Sequence, residues 1–583
     1  MRTSIKIFAA AALALTGGCY PSDMGPNWPI TETQKSFEQM DAAMRQQAPA
    51  VADTVTGDRI VRARSEPHNW LTYYGAYDGQ RFSSLGEINA GNAARLRPAW
   101  VFQAAPIGLV ANPPSFSLEA APIVVDGVMY LSGWDGYVWA LDAASGEELW
   151  RYRHAIPLDL PLCCGNVNRG VAVARGKVFY SSPNGHLVAL DGRTGKPVWT
   201  KVWLDPRAGE SSTMAPLVVK NMVIVGSSGA EYGVRGHIDA FDVDTGQRLW
   251  RRYAVPKPGE PGSETWGNND AWERGGGSAW ITGSYDPELD LLYWGTSNPS
   301  PDFDGSMRPG DNLFTNSVLA MDPDNGTIRW HYQFTPHDVW DYSGVNENIL
   351  FESGGRRLLA HFDRNGYLFV LDRQTGQRVS VTQFGDRVTW GRIDPATGAV
   401  SDRREPTREG IEVCPGPAGS KEWPHATYSR STGLLYTPVI DACATYRTFP
   451  TEFKESLSYF GGDFKVDPAQ VRGGGVKAYR PNGTLAWEWR YKFPIVASLL
   501  STAGDVVFVG TPDGMFIALD ARSGRQLWQF RTGTGIHSNP VTYSVGGKQY
   551  VAVPTGWGGW IKGFAPNMFG HERGSALFVF ALP

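Results

Sequence analysis

The chain has 583 residues, with 54 lysines and arginines against 58 aspartates and glutamates, and its formal net charge of −4 offers no basic footprint for nucleic acid. A chain this long would ordinarily divide into several domains, yet 68 glycines, 22 tryptophans, 23 tyrosines and 26 phenylalanines are spread along its whole length. Long amphipathic helices are scarce and charged residues make up only 19%, which points away from helical bundles and toward one extended all-β body.

At the N-terminus Arg2 and Lys6 precede an apolar run from Ile7 to Leu15, followed by Thr16-Gly17-Gly18-Cys19. This is an export signal over residues 1–18. The run is too short to cross a bilayer as a helix, and no other segment reads as transmembrane. Small residues directly before Cys19 resemble the lipobox of bacterial lipoproteins, with Thr16 as a departure. The resemblance implies acylation of Cys19 and a membrane anchored only through that lipid. An ordinary signal cleaved nearby would instead leave Cys19 removed or idle. Residues 19–65 are polar and read as a tether with one short helix around Thr33–Gln47; residues 66–583 form the folded body.

An internal repeat decides the architecture of that body. LDAASGEELW ends at Trp150, LDGRTGKPVW at Trp199, FDVDTGQRLW at Trp250, MDPDNGTIRW at Trp330 and LDARSGRQLW at Trp528. Two degenerate copies, LDRQTGQRVS over 371–380 and YRPNGTLAW over 479–487, lie between them, and INAGNAARLRPAW, ending at Trp100, precedes the series. Each unit reads as an apolar strand, a turn in which Gly supplies positive φ, and a strand ending in an aromatic. Flanking segments such as PIVVDGVMYLSGWDGYVWALD alternate apolar and polar residues, as half-buried antiparallel strands do. Four short strands per unit, eight units in all, predict an eight-bladed β-propeller of four-stranded antiparallel sheets. The tryptophans dock blade on blade, and ALFVFALP at the end pairs beside early strands to fasten the ring.

Cys163 and Cys164 are adjacent in PLCCGNVNRG. Neighbouring Cα atoms lie about 3.8 Å apart, below the usual disulfide span of roughly 4.4–6.8 Å, so the pair is either a strained ring or two reduced thiols packed as small hydrophobes. No CxxCH sequence occurs, so the chain is expected to carry no c-type haem of its own.

From about Trp70 to Pro583 the eight units, with the cysteine pair and the segments around it, resemble the PQQ-dependent alcohol dehydrogenases, quinoproteins that include the methanol dehydrogenase large subunit. The resemblance implies that Cys163 and Cys164 form a strained disulfide lid over one face of pyrroloquinoline quinone (PQQ) and that Arg169 contacts the cofactor by a charge-assisted bond. In GGGSAW, Ser278 becomes a hydrogen-bonding group and Trp280 the plane stacked beneath the quinone. Glu119, Thr213 and Ser228-Gly229-Ala230 line its polar rim, and Gly559 and Trp560 in GWGGW meet its edge.

Glu231, Asn298 and Asp341 supply hard oxygen ligands suited to Ca²⁺. Relatives that use lanthanides carry a further aspartate two residues after the catalytic one, where this chain has Ser343. Asp341 is also the implied general base, taking the alcohol proton as hydride moves to the quinone C5 carbonyl, with Arg364 stabilising charge on that oxygen. His337 in TPHD is expected to be a structural hydrogen-bonder. With an odd five cysteines, pairing Cys163 with Cys164 and Cys414 with Cys443 leaves Cys19 spare at the signal boundary.

Two departures from the family pattern bear on the site. Glu422 stands where an amide is usual, and Lys421 is available to neutralise it. Val496 replaces an aromatic, which predicts a pocket wider than that of methanol dehydrogenase or differently shaped. The insert between Gln383 and Tyr479 is the expected contributor to substrate choice.

The function implied is oxidation of a small-molecule primary or secondary alcohol in the periplasm, with electrons passed to an external acceptor such as a c-type cytochrome. A reading from another class is a cofactor-free propeller lipoprotein serving as an assembly scaffold, since such proteins share the repeat but not the site residues.

Overall fold

The recurring turn explains the blade. In its first copy Asp142 Oδ1 accepts from the N–H groups of Ala144 and Ser145 at 3.0 and 2.8 Å, an Asx turn, and Gly146 completes it at φ 78°. A Cβ on Gly146 would also lie 2.4 Å from the Trp100 ring of the neighbouring blade. The same overlap recurs at Gly195 against Trp150, Gly246 against Trp199, Gly326 against Trp250, Gly376 against Trp330 and Gly524 against Trp487. Glycine is therefore required twice over, for the backbone and for the indole that covers it. In three of these copies the indole N–H is satisfied as well: Trp150, Trp250 and Trp487 donate to the carbonyls of Gly192, Pro323 and Ala521 at 3.0, 2.9 and 2.9 Å.

In the computed structural model, which describes residues 47–104, 117–157, 159–559 and 574–583, these units form eight antiparallel blades. Seven follow chain order over 123–153, 172–202, 217–253, 284–333, 349–383, 427–491 and 500–531. The eighth closes the ring: Val541–Val545, Lys548–Gly556 and Ser575–Ala581 take Arg97–Gln103 as their fourth strand. The final strand thus pairs with an early one, antiparallel, from Arg97 opposite Ala581 to Gln103 opposite Ala576. The first strand of each early blade, such as Ile123–Val125, Ala172–Ala174 and Leu217–Val219, is buried throughout.

The C-terminal part of the polar N-terminal stretch belongs to the folded body. Residues 47–65, assigned above to the tether, lie on the propeller as a short helix, Gly57–Val61, flanked by 3-10 turns. Ala52, Val55 and Ile60 are fully buried, and the Arg175 N–H donates to the Val55 carbonyl at 2.8 Å. Scattered small apolar residues are enough to anchor this stretch, although they do not stand out in a polar segment. The signal over 1–18, Cys19 and all but the last residue of the helix expected around Thr33–Gln47 lie outside the described residues. None of the helices among the described residues is long and apolar enough to cross a membrane.

The insert interrupts the sixth blade and the connection before it. It contains a ribbon of Arg392–Ile393 with Val400–Ser401 and a sheet of Ile411–Val413, Ala444–Thr448 and Gly462–Lys465. A disulfide joins Cys414 to Cys443, as expected.

Candidate active site

Loops at the ends of the inner strands converge on one cavity of about 590 Å³, a volume in the range of small-molecule sites. Cys163, Cys164, Arg169, Thr213, Ser228, Gly229, Glu231, Trp280, Asp341, Arg364 and Gly559 all line it. Segments nearly 400 residues apart in sequence are brought together because loops within and between several blades reach the same cavity.

Two guanidinium groups approach the Trp280 ring. Arg169 lies 4.9 Å from its centroid and Arg364 5.6 Å, both within cation–π range. Arg169 also stacks at 4.6 Å on Trp423, a fully buried ring that sequence reasoning missed among the 22 tryptophans. On its other side Arg169 Nη2 pairs with Glu119 Oε2 at 3.2 Å, and its Nη1 donates to Thr213 Oγ1. Burial pushes the Glu119 carboxyl up to about 7, against the pull of Arg169 and a hydrogen bond from Ser117. Gly559, at φ 66°, allows this packing, since a Cβ there would lie 2.5 Å from Glu119 Oε1. Trp560 lies outside the described residues.

A second group gathers around Asp341, which is held in the left-handed region at φ 64°. That conformation is costly for a non-glycine residue and is concentrated at functional sites. Arg364 Nη1 lies 3.5 Å from Asp341 Oδ1, while Arg364 Nη2 pairs with Glu422. Glu422 is thus neutralised by Arg364, and the expected help from Lys421 goes elsewhere: its Nζ pairs with Glu347 Oε2 at 2.8 Å. Burial drives the Asp341 carboxyl well above the usual carboxylate range, opposed by Arg364 and reinforced by Glu231, Asp338 and Glu422. Glu231 is likewise pushed up by burial. Asn298 is buried beside them, its Oδ1 accepting from Ser343 Oγ at 2.8 Å.

Asp302 belongs to this neighbourhood too, although no motif marked it. It is 1% exposed, its Oδ1 has no hydrogen-bond partner among the described residues, and burial followed by the charges of Asp341 and Glu231 raises its carboxyl well above normal. Several buried acids repelling one another form a donor set that a hard cation would satisfy. The organic cofactor is matched in the same way: Ser228 Oγ and the Nε atoms of Arg169 and Arg364 are buried without partners among the described residues. Two cations and a free hydroxyl around a flat indole fit a planar polycarboxylate.

Four expectations change at this point. Cys163 and Cys164 both line the cavity but are free thiols and not a disulfide. Their Cα atoms are closer than a relaxed disulfide permits, and the reduced pair avoids that strain. The Cys163 thiol is raised well above its ordinary value by hydrogen bonding to Cys164 and by burial. Ser278 does not line the cavity; its Oγ accepts from the Ala230 N–H at 2.9 Å and holds the turn that carries Glu231. Ala230 is likewise behind the surface, its carbonyl accepting from Ser300 Oγ. Val496 packs with Ile440 and Trp557 behind Ala418, so the cavity's width is set by other side chains. His337 lies outside this cavity, with Nδ1 bonded to the Gly310 carbonyl at 2.7 Å.

The chain matches the family model described as PQQ: Glucose/ethanol/alcohol dehydrogenase, beta-propeller domain over residues 70–383 and 470–551. It is 36% identical over 92% of its length to the quinoprotein alcohol dehydrogenase PedH of Pseudomonas putida, covering 95% of that protein. It is 40% identical to the quinohemoprotein alcohol dehydrogenase ADH IIB of the same species, over 88% of this chain and 77% of the relative. Among solved structures, a europium-containing methanol dehydrogenase superposes with a TM-score of 0.84 at 35% identity, covering 90% of this chain and all of that one.

Proposed function

Because this chain belongs to the PQQ-dependent alcohol dehydrogenases, we propose that it oxidises primary or secondary alcohols to aldehydes or ketones, with Asp341 taking the hydroxyl proton. The observation that carries this reading is the meeting of Asp341, Glu231, Arg169, Arg364 and Trp280 in one cavity. When bound, PQQ supplies the acceptor for the carbinol hydrogen and its electron pair, and a metal ion supplies a Lewis acid. Each turnover removes two electrons and two protons from the alcohol. One proton passes to Asp341, whose carboxylate is oriented by Arg364 from 3.5 Å. Glu119, Arg169, Thr213, Ser228, Gly229, Ala230, Ser278, Trp280, Gly559 and Trp560 are assigned to holding or backing the cofactor. A cofactor-free scaffold would have no use for the polar atoms of Arg169, Arg364 and Ser228 that are buried without partners among the described residues.

Glu231, Asn298 and Asp341 are the metal ligands in this reading, and the ion is Ca²⁺. Two carboxylates and an amide suit a divalent ion, and the position of a further carboxylate is taken by Ser343. Anchoring through acylated Cys19 and electron transfer to an external acceptor such as a c-type cytochrome complete the proposal.

Metal-free protein incubated with PQQ and either Ca²⁺ or La³⁺ tests it, read by quinone absorbance on the protein and by alcohol-dependent dye reduction. Ca²⁺ should support both, and Ser343→Asp should move the preference toward La³⁺. If La³⁺ outperforms Ca²⁺ in the unaltered chain, the ligand assignment is wrong and Asp302 becomes the carboxylate to examine.

A further inference from the structure

The family match stops at residue 383 and resumes at 470, and the chain between them supplies Pro417, Ala418, Phe460 and Phe464 to the cavity wall. With Phe303 these form the part of the lining that has no polar side chain. Of the charged groups of the cavity, Arg169, Glu231, Asp341 and Arg364 are assigned to the cofactor, the metal or the base, and Glu422, from the same stretch of chain, is paired with Arg364.

The aromatic part is built into place. Phe303 lies 6.2 Å from Phe460 and 6.0 Å from Phe464, centroid to centroid, and its N–H donates to the Phe460 carbonyl at 2.8 Å. One residue earlier, the Tyr459 N–H donates to the Glu231 carbonyl at 2.7 Å, so the segment is tied to the backbone of the proposed metal ligand. Its close approach depends on Gly462, where a Cβ would lie 2.7 Å from Phe303 Cβ and 2.3 Å from the Arg447 carbonyl. Phe460 nevertheless remains 37% exposed. A phenyl ring held at a cavity wall with much of its surface wet has apolar area left for a ligand to cover.

We propose that Phe303, Phe460 and Phe464 are a substrate-selecting subsite that takes the substituent of the alcohol. The preferred substrates are alcohols with an aromatic or comparably bulky apolar group, such as benzyl alcohol, ahead of methanol, ethanol and polyols. This deepens the alcohol dehydrogenase reading and rests on it. Three rings offer edge and face contacts to an aryl group that a methyl group cannot exploit, and no side chain on this wall repays the desolvation of a polyol hydroxyl.

The test compares kcat/KM for benzyl alcohol, ethanol, methanol and glycerol in PQQ- and metal-loaded enzyme. Benzyl alcohol should exceed ethanol at least about tenfold, and Phe460→Ala or Phe464→Ala should cut that ratio by about tenfold, mainly through KM. Phe464→Leu keeps most of the volume and should cut it less. An independent readout is calorimetric binding of 2-phenyl-2-propanol, which has no carbinol hydrogen and cannot turn over. Its Kd should rise about tenfold in Phe460→Ala. Equal use of ethanol and benzyl alcohol, or a ratio and Kd untouched by all three substitutions, overturns the subsite. Enzyme with bound quinone absorbance that oxidises no alcohol overturns the underlying reading instead.

Discussion

Asp341 is where burial, a guanidinium and neighbouring carboxylates compete for one proton. Asp341→Asn keeps the shape and one oxygen while removing the proton acceptor, so turnover should fall by about a thousandfold or more with quinone absorbance retained. Retention of a tenth of the original rate in loaded enzyme would assign the base elsewhere. At this scale the sequence is legible where chemistry needs a rare residue type in a fixed motif. The adjacent cysteines, Arg169, Trp280, Glu231, Asp341 and Arg364 all reach the cavity. It is illegible where the partner is distant or the role is support. The sequence offers Lys421 as the partner of Glu422 because Arg364, 58 positions away, comes to it only in the fold. Asp302 and Trp423 sit in no pattern that distinguishes them, and Ser278 turns its hydroxyl to a backbone N–H.

Blades could be counted in advance because most repeat a local rule, Asp and Gly in the turn and Trp on the next turn's glycine. The insert follows no such rule. Ile411–Val413, Ala444–Thr448 and Gly462–Lys465 pair across long separations, so no hairpin signal betrays them. The Cys414–Cys443 bond, with a sequence separation of 29, links the residue after Ile411–Val413 to the residue before Ala444–Thr448. In the chain-entropy picture a loop of that size contributes about 3.5 kcal/mol. Replacing both cysteines with alanine should therefore lower Tm by several degrees and make it indifferent to dithiothreitol, whereas the unaltered protein loses stability on reduction. A Tm that reductant does not change in the unaltered protein would show that the bond does not constrain the folded insert. Because Phe460 and Phe464 hang from the same element, the double variant should also lose part of its preference for benzyl alcohol.

The ring as a whole depends on contacts that no single blade owns. Arg97–Gln103 closes the last sheet on Ser575–Ala581, and the Trp528 indole donates to the Leu96 carbonyl at 3.2 Å. Deep between the blades, His425 bonds Glu347 Oε2 at 3.1 Å and the Tyr73 hydroxyl at 2.9 Å, while Lys421 pairs with the same Glu347. All three ionisable side chains are fully buried. Burial lowers His425 to about 4 in spite of Glu347. Glu347 is lowered to about 2, Lys421 and His425 together overcoming its burial. Both depressed values have the same sign for stability. The unfolded chain binds the extra proton, so the His425 contribution is complete above its unfolded value near 6.5 and is lost as pH falls toward 4. The Glu347 contribution is complete above about 4.5 and is lost as pH falls toward 2. Glu119 works the other way, because its raised carboxyl costs stability as pH climbs from about 4.5 through 7. A bare Tm profile of metal-free protein mixes these opposing slopes, and the difference between the unaltered chain and His425→Asn separates them. That difference should shrink by on the order of 1.4 kcal/mol per pH unit between 6 and 4.5, measured by urea unfolding at each pH. A gap that stays constant over this interval would mean that His425 is already protonated in the folded ring.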